Sequence, residues 1–260
     1  MNKYIIRLGS KFADSNIVFL VAILSLIPFF SSNKVALLLF GLFIFLLISY
    51  SLRSGFAIFF SCLGMGTLYV TFCIQDNGIK AFILLIYFSL VAFKRVREKC
   101  DWLLLGKANL KTVLLIILTI SVSSLALIVW NALTNPDLTE FKRQIPELNS
   151  FIAYSIIPIV ATINAVNEEV LFRGVIWSSI EKRLTKVWLI ILIQSIYFGV
   201  CHFNGIPGGL PGIVLATIYG LALGYLKHQS NGLLYPIITH IFADSTIYLL
   251  ILNSEKLSNL

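Results

Sequence analysis

The sequence predicts an all-α protein, a polytopic transmembrane helical bundle of eight or nine helices. Of its 260 residues 58% are hydrophobic and only 12% charged, and a mean hydropathy of +0.91 lies far outside the range of a water-soluble domain. The apolar residues also come in uninterrupted stretches of about 15 to 25, with none of the polar and apolar alternation of a barrel strand. Backbone in lipid must satisfy its own hydrogen bonds, so such stretches can only be helices.

In chain order the stretches cover 15–31, 34–52, 55–75, 80–94, 111–133, 151–173, 187–203, 210–226 and 232–252. The one at 80–94 is the shortest, which leaves the count at eight or nine. The first follows Lys3, Arg7 and Lys11 with no small-residue cleavage site after it, so it is expected to stay as an anchor helix rather than leave as a signal peptide. With nine crossings and the amino terminus inside, fourteen Lys and Arg collect on one side and five on the other. That bias marks the richer side as cytoplasmic. The net charge of +8 therefore sits at helix ends, where it meets anionic headgroups; membrane lipids are the expected partner and nucleic acid is not. The four cysteines, Cys62, Cys73, Cys100 and Cys201, show neither CxxC nor metal spacing and read as free thiols.

The basic connector KRVREKCDWLLLGKANLK at 94–111 divides the chain. Residues 1–110 form accessory amino-terminal helices, 111–149 a connecting helix with a polar loop, and 150–252 the part that holds every unusual residue. Within it, Gly220 and Gly224 make a GxxxG that permits close helix packing. The run NGIPGGLPG at 204–212 reads as an inter-helix connector.

Of the twelve acidic residues, all but Glu168, Glu169 and Asp244 fall in expected loops or at helix ends. Two of the three histidines, His202 and His240, also lie inside or at the edge of apolar helices. An ionisable group in the membrane costs several kcal/mol unless paired or wetted, which makes each a functional candidate.

Helical spacing says which groups can meet. Glu169 and Arg173 are four apart with the acid first, the favourable order for an ion pair on one face. Glu168 is turned about 100° away. Arg173 can thus hold Glu169 while Glu168 faces another helix. His240 and Asp244 in HIFAD are four apart, as are Phe198 and His202 in FGVCH. Glu168 and His202 are equidistant from a turn near 185, about 25 Å along each helix, and can face each other. His240 lies only about 16 Å from a turn near 229, so that turn would have to sit deeper.

A glutamate and two histidines in a partly dry cavity can hydrolyse a peptide in two ways. Glu168 can take a proton from water while the histidines stabilise the oxyanion. Alternatively Glu168, His202 and His240 bind a divalent metal, zinc being the most suitable. The HExxH of soluble zinc proteases, the GxSxG elbow and a GxGD signature are all missing.

EEVLFR (Glu168 to Arg173), FGVCH (Phe198 to His202) and HIFAD (His240 to Asp244), in this order, resemble the EExxxR, FxxxH and HxxxN/D elements of the CPBP intramembrane proteases. That group includes type II CAAX prenyl endopeptidases, bacteriocin-processing (Abi) proteins and lysostaphin-resistance-like proteins. The resemblance covers roughly residues 150–252 and departs at Asp244, where the better-known CAAX enzymes carry asparagine. It implies an endopeptidase acting on a membrane-associated protein or peptide, in a bacterial cell membrane. By the same resemblance, Glu168 activates water, Glu169 and Arg173 support the helix, His202 and His240 bind metal or stabilise the oxyanion, and Asp244 completes the site. The alternatives are a non-catalytic scaffold or bacteriocin self-immunity protein with the same fold, and a proton- or ion-relaying transporter.

Overall fold

A computed structural model describes residues 104–143, 145, 148–181 and 184–257. The four front crossings expected between 15 and 94, and Cys62, Cys73 and Cys100, lie outside the described residues. The helices are α1 (Leu110–Thr134), α2 (Thr139–Arg143), α3 (Ser150–Glu169), a π-helical segment (Val170–Ile176), α4 (Trp177–Glu181), α5 (Val187–Cys201), a 3-10 turn (His202–Asn204), α6 (Gly209–Ser230) and α7 (Leu234–Leu257). Among the described residues there is no strand. Five helical spans are long and apolar enough to cross a membrane: 110–134, 150–174, 187–204, 209–230 and 234–254. They coincide with the last five of the nine apolar stretches.

Asparagines punctuate these helices. Asn109 and Asn149 accept hydrogen bonds at the amino termini of α1 and α3, from Thr112 N–H and Ile152 N–H, both at 2.9 Å, and so satisfy donors the helix leaves open. Asn135 and Asn231 end α1 and α6 in the left-handed region, at φ 42° and 53°, which asparagine tolerates better than most residues.

In the bundle α5 packs on α6, and α7 packs on both α3 and α1. Single polar pairs tie α7 to its neighbours: Ser124 to Thr246 and Tyr154 to Asn253, each at 2.9 Å. Hydrogen bonds of this kind supplement van der Waals packing between apolar helices. The GxxxG on α6 does allow close approach. A Cβ on Gly220 would meet the Ser195 backbone at 3.2 Å, and one on Gly224 would meet Gln194 Nε2 at 2.6 Å.

The turn before α7 is set inward relative to the turn before α5, as the meeting of His240 with Glu168 requires. His240 follows Leu234 by two turns or less, whereas His202 follows the full 15 residues of α5. At the usual helical rise these are roughly 9 and 22 Å from their respective turns. A turn set inward carries backbone groups that need partners, and the segment before α1 supplies them. Leu233 and Leu234 N–H donate to the carbonyls of Leu104 and Leu105 at 2.8 and 3.2 Å, and Lys107 N–H donates to Ser230 O at 2.8 Å. Gly106, at φ +93°, and Gly232 pack backbone against backbone there, with no room for a side chain.

Candidate active site

The site begins where α3 ends. The apolar stretch 151–173 reads as continuous α-helix, but α geometry stops at Glu169 and the next seven residues, Val170–Ile176, form the π-helical segment. Such wide turns are rare and often mark functional sites. Within this one, Phe172 and Arg173 both lie on the Phe198 ring of α5: the Phe172 and Phe198 centroids are 4.9 Å apart and the guanidinium is 4.5 Å from the Phe198 centroid.

Arg173 and Glu169 are completely buried and paired, with Arg173 Nη1 donating to Glu169 Oε1 at 2.8 Å. Arg173 Nη2 also donates to the Gly220 carbonyl at 3.3 Å, an oxygen that Gln194 Nε2 shares at 3.2 Å. A buried arginine needs such multiple partners, because its charge cannot be shed. Glu169 pairs with Arg173 as the spacing requires, but it also reaches His240 on α7, while Glu168 faces both histidines.

Glu168, 4% exposed, meets both histidines through one oxygen. Its Oε2 lies 3.9 Å from His202 Nε2 and 3.7 Å from His240 Nε2, and makes no hydrogen bond. Its Oε1 accepts from Asn164 Nδ2 at 3.0 Å, and the same nitrogen donates to Asp244 Oδ2 at 3.0 Å. Asp244 Oδ1 is 3.5 Å from His240 Nε2. All six side chains singled out in the sequence are therefore brought together.

The histidines are oriented by their far nitrogens. His202 Nδ1 lies 2.7 Å from the Phe198 carbonyl and His240 Nδ1 2.7 Å from Glu169 Oε1. Neither a carbonyl nor a carboxylate can donate, so each Nδ1 carries the proton. In the neutral imidazoles each Nε2 then presents a lone pair toward Glu168.

Two such lone pairs and an unpartnered carboxylate oxygen are the donor types of a catalytic zinc site. Their separations of 3.7 and 3.9 Å slightly exceed the roughly 3.3 Å between ligands of a zinc tetrahedron, taken from bonds of about 2.0–2.1 Å. Among the described residues no group of three His, Cys, Asp or Glu has the spacing of a ready-made cation site. The donors fit a divalent ion in kind, after a small inward movement.

A cavity of about 380 Å³ reaches the site from the side of α1. His202, His240, Asp244 and Tyr219 line its polar end, while Leu118 and Val122 of α1 belong to its apolar wall. Cys201 is buried in the apolar cluster with Phe172 and Phe198 and does not line this cavity. Two contributors lie outside the three motifs. Asn164 joins Glu168 to Asp244, and Tyr219 stands edge-on to His240 with centroids 5.6 Å apart. The sequence marked Asn164 only as one of three asparagines, with Asn167 and Asn204, able to hydrogen-bond in the cavity; nothing distinguished Tyr219.

No curated protein and no solved structure matches the chain. Residues 150–246, which contain all of these polar groups, match the family model described as Type II CAAX prenyl endopeptidase Rce1-like.

Proposed function

We propose that the protein is an intramembrane endopeptidase that hydrolyses a peptide bond of a membrane-associated protein or peptide, with Glu168 activating water. The observation that carries this reading is the convergence of His202 Nε2 and His240 Nε2 on Glu168 Oε2, at 3.9 and 3.7 Å, beside a largely apolar cavity. The family match supports peptidase activity in general.

Glu168 Oε2 is the base. It takes a proton from a water drawn between it and the histidines, and the oxygen adds to the scissile carbonyl carbon. When the tetrahedral intermediate collapses, the same carboxyl group returns the proton to the leaving amine nitrogen. Asn164 holds Oε1, which leaves Oε2 for the reaction. Glu169 orients His240, and the Phe198 carbonyl orients His202, so neither ring can turn its Nε2 away without losing a hydrogen bond.

Glu168, His202 and His240 would hold a divalent metal, zinc foremost, with Asp244 adjoining. When bound, it would polarise the carbonyl and make the water more acidic. Membrane lipids surround the bundle in this reading, and a bacterial cell membrane is the proposed setting.

The test is cleavage of a fluorogenic peptide library by the full-length protein in detergent, wild type against Glu168→Gln, with metal measured on the same samples. Loss of cleavage in a folded Glu168→Gln supports the reading, and about one metal per wild-type chain makes it a metalloprotease. Equal behaviour of the two proteins sinks the role given to Glu168 and favours a non-catalytic scaffold.

A further inference from the structure

The reaction above leaves the negative charge on the carbonyl oxygen without an evident donor from the protein. His202 and His240 have their Nδ1 atoms engaged by the Phe198 carbonyl and Glu169, and their Nε2 atoms face Glu168 Oε2, the carboxylate that takes the water proton. Asn164 Nδ2 is engaged by Glu168 and Asp244.

Tyr219 supplies a donor of the right kind beside them. It lines the cavity together with both histidines and Asp244, and its ring stands edge-on to His240 at 5.6 Å and 83°. Yet its hydroxyl, shielded from solvent, makes no hydrogen bond. Buried hydroxyls are seldom left so.

α6 is held where it presents this hydroxyl. Gly220, the next residue, lets the helix press on Ser195, and its carbonyl is fastened by both Arg173 and Gln194. A donor that is held, dry and unpaired is what a developing oxyanion requires.

We propose that Tyr219 is a catalytic residue whose O–H hydrogen-bonds the scissile carbonyl oxygen as it becomes an oxyanion. The inference rests on the endopeptidase reading. Water oxygen bonds to the carbonyl carbon, its proton passes to Glu168, and the carbonyl π pair moves onto the oxygen that Tyr219 faces. On collapse that pair re-forms the C=O bond, the C–N bond breaks, and the Glu168 proton goes to nitrogen. Tyr219 keeps its own proton throughout.

The experiment compares wild type, Tyr219→Phe and Glu168→Gln in full-length protein, using a cleaved library peptide and its analogue with a thioamide at the scissile bond. Sulfur accepts hydrogen bonds poorly, so wild type should cleave the thioamide much more slowly. Tyr219→Phe should lower kcat on the normal peptide by about 10²-fold, the effect of losing one oxyanion donor, with KM little changed and the preference for oxygen over sulfur largely gone.

Should Tyr219→Phe fail to fold, 4-methylphenylalanine and 4-aminophenylalanine at this position decide the matter. Both fill the tyrosine's volume, and only the amine can donate; the amine should retain activity that the methyl form loses. Unchanged kcat and an unchanged oxygen preference in Tyr219→Phe, with Glu168→Gln inactive, overturn the tyrosine assignment and leave the endopeptidase reading standing. Full activity in Glu168→Gln, or a wild type that cleaves nothing in the library, overturns both.

Discussion

Glu169 Oε1 accepts from His240 Nδ1 at 2.7 Å, across 71 residues of sequence, while it holds Arg173 Nη1 at 2.8 Å. One oxygen thus fixes the end of α3 and the ring of α7. Glu169 is a positioning residue for two groups, and the charge of Arg173 balances its own.

Glu169→Gln should therefore injure fold and activity together, unlike Glu168→Gln. Breaking a buried ion pair from one side costs about 3–5 kcal/mol, and on the proposed endopeptidase reading loss of the partner that orients His240 costs about 10- to 100-fold in activity. Thermal unfolding in detergent, read beside turnover, checks this. A Glu169→Gln protein as stable as Glu168→Gln would contradict the assignment.

Asn164 offers a finer test. Its Nδ2 bridges Glu168 Oε1 and Asp244 Oδ2 at 3.0 Å each, keeping two buried carboxylates apart by donating to both. Asn164→Asp keeps the shape and replaces the donor with a third anion. The expectation is a fall in kcat of at least about tenfold, because like charges so close raise the proton affinity of the base. Asn164→Gln, which retains the amide on a longer arm, should lose less. The pH profile of kcat for Asn164→Asp should move upward, a shift that damage to packing alone would not produce.

The two glycines of α6 make unequal predictions. A Cβ on Gly220 would meet Ser195 backbone at 3.2 Å, whereas on Gly224 the first atom met is the Gln194 amide at 2.6 Å, the end of a side chain that can swing. Overpacking costs about 1–3 kcal/mol when the neighbour cannot yield. Gly220→Ala should accordingly lower the unfolding temperature and, by moving the carbonyl that Arg173 uses, slow turnover. Gly224→Ala should do less of both, provided Gln194 finds new partners. Equal losses would mean that the helices part as a unit.

What could be read from the sequence was what one helix decides alone. Glu169 and Arg173, four apart, had to share a face, and Glu168 had to point elsewhere; His240 and Asp244 followed the same rule. The apolar stretches gave the five described spans for the same reason, since length and hydropathy are local. The bridge from Asn164 to Asp244 was hidden because it depends on the register of α3 against α7, which spacing does not set. Tyr219 was hidden because a tyrosine in an apolar helix is ordinary until its neighbours are known. The π-helical segment leaves no mark in the pattern, and VLFRGVI would serve equally well as α-helix. The inward turn at 231–233 was legible only as a misfit in the depth of His240; its cause, the pairing with 104–107, joins segments more than a hundred residues apart.

Helix α1 lies before the family segment 150–246, yet Leu118, Val122 and Ala126 on it line the cavity that leads to His202 and His240. If that cavity admits the substrate, its size should be adjustable from α1 without touching the polar end. Ala126→Phe would fill part of about 380 Å³ from a side chain that makes none of the bonds described above. The expected result is a rise in KM of about tenfold for peptides with large apolar residues beside the scissile bond, roughly what a methylene or two is worth in a tight pocket. Peptides with alanine or glycine there should be affected less, and kcat for those should hold. A uniform loss across all peptides, with the unfolding temperature unchanged, would instead mean that the cavity does not discriminate by side-chain size.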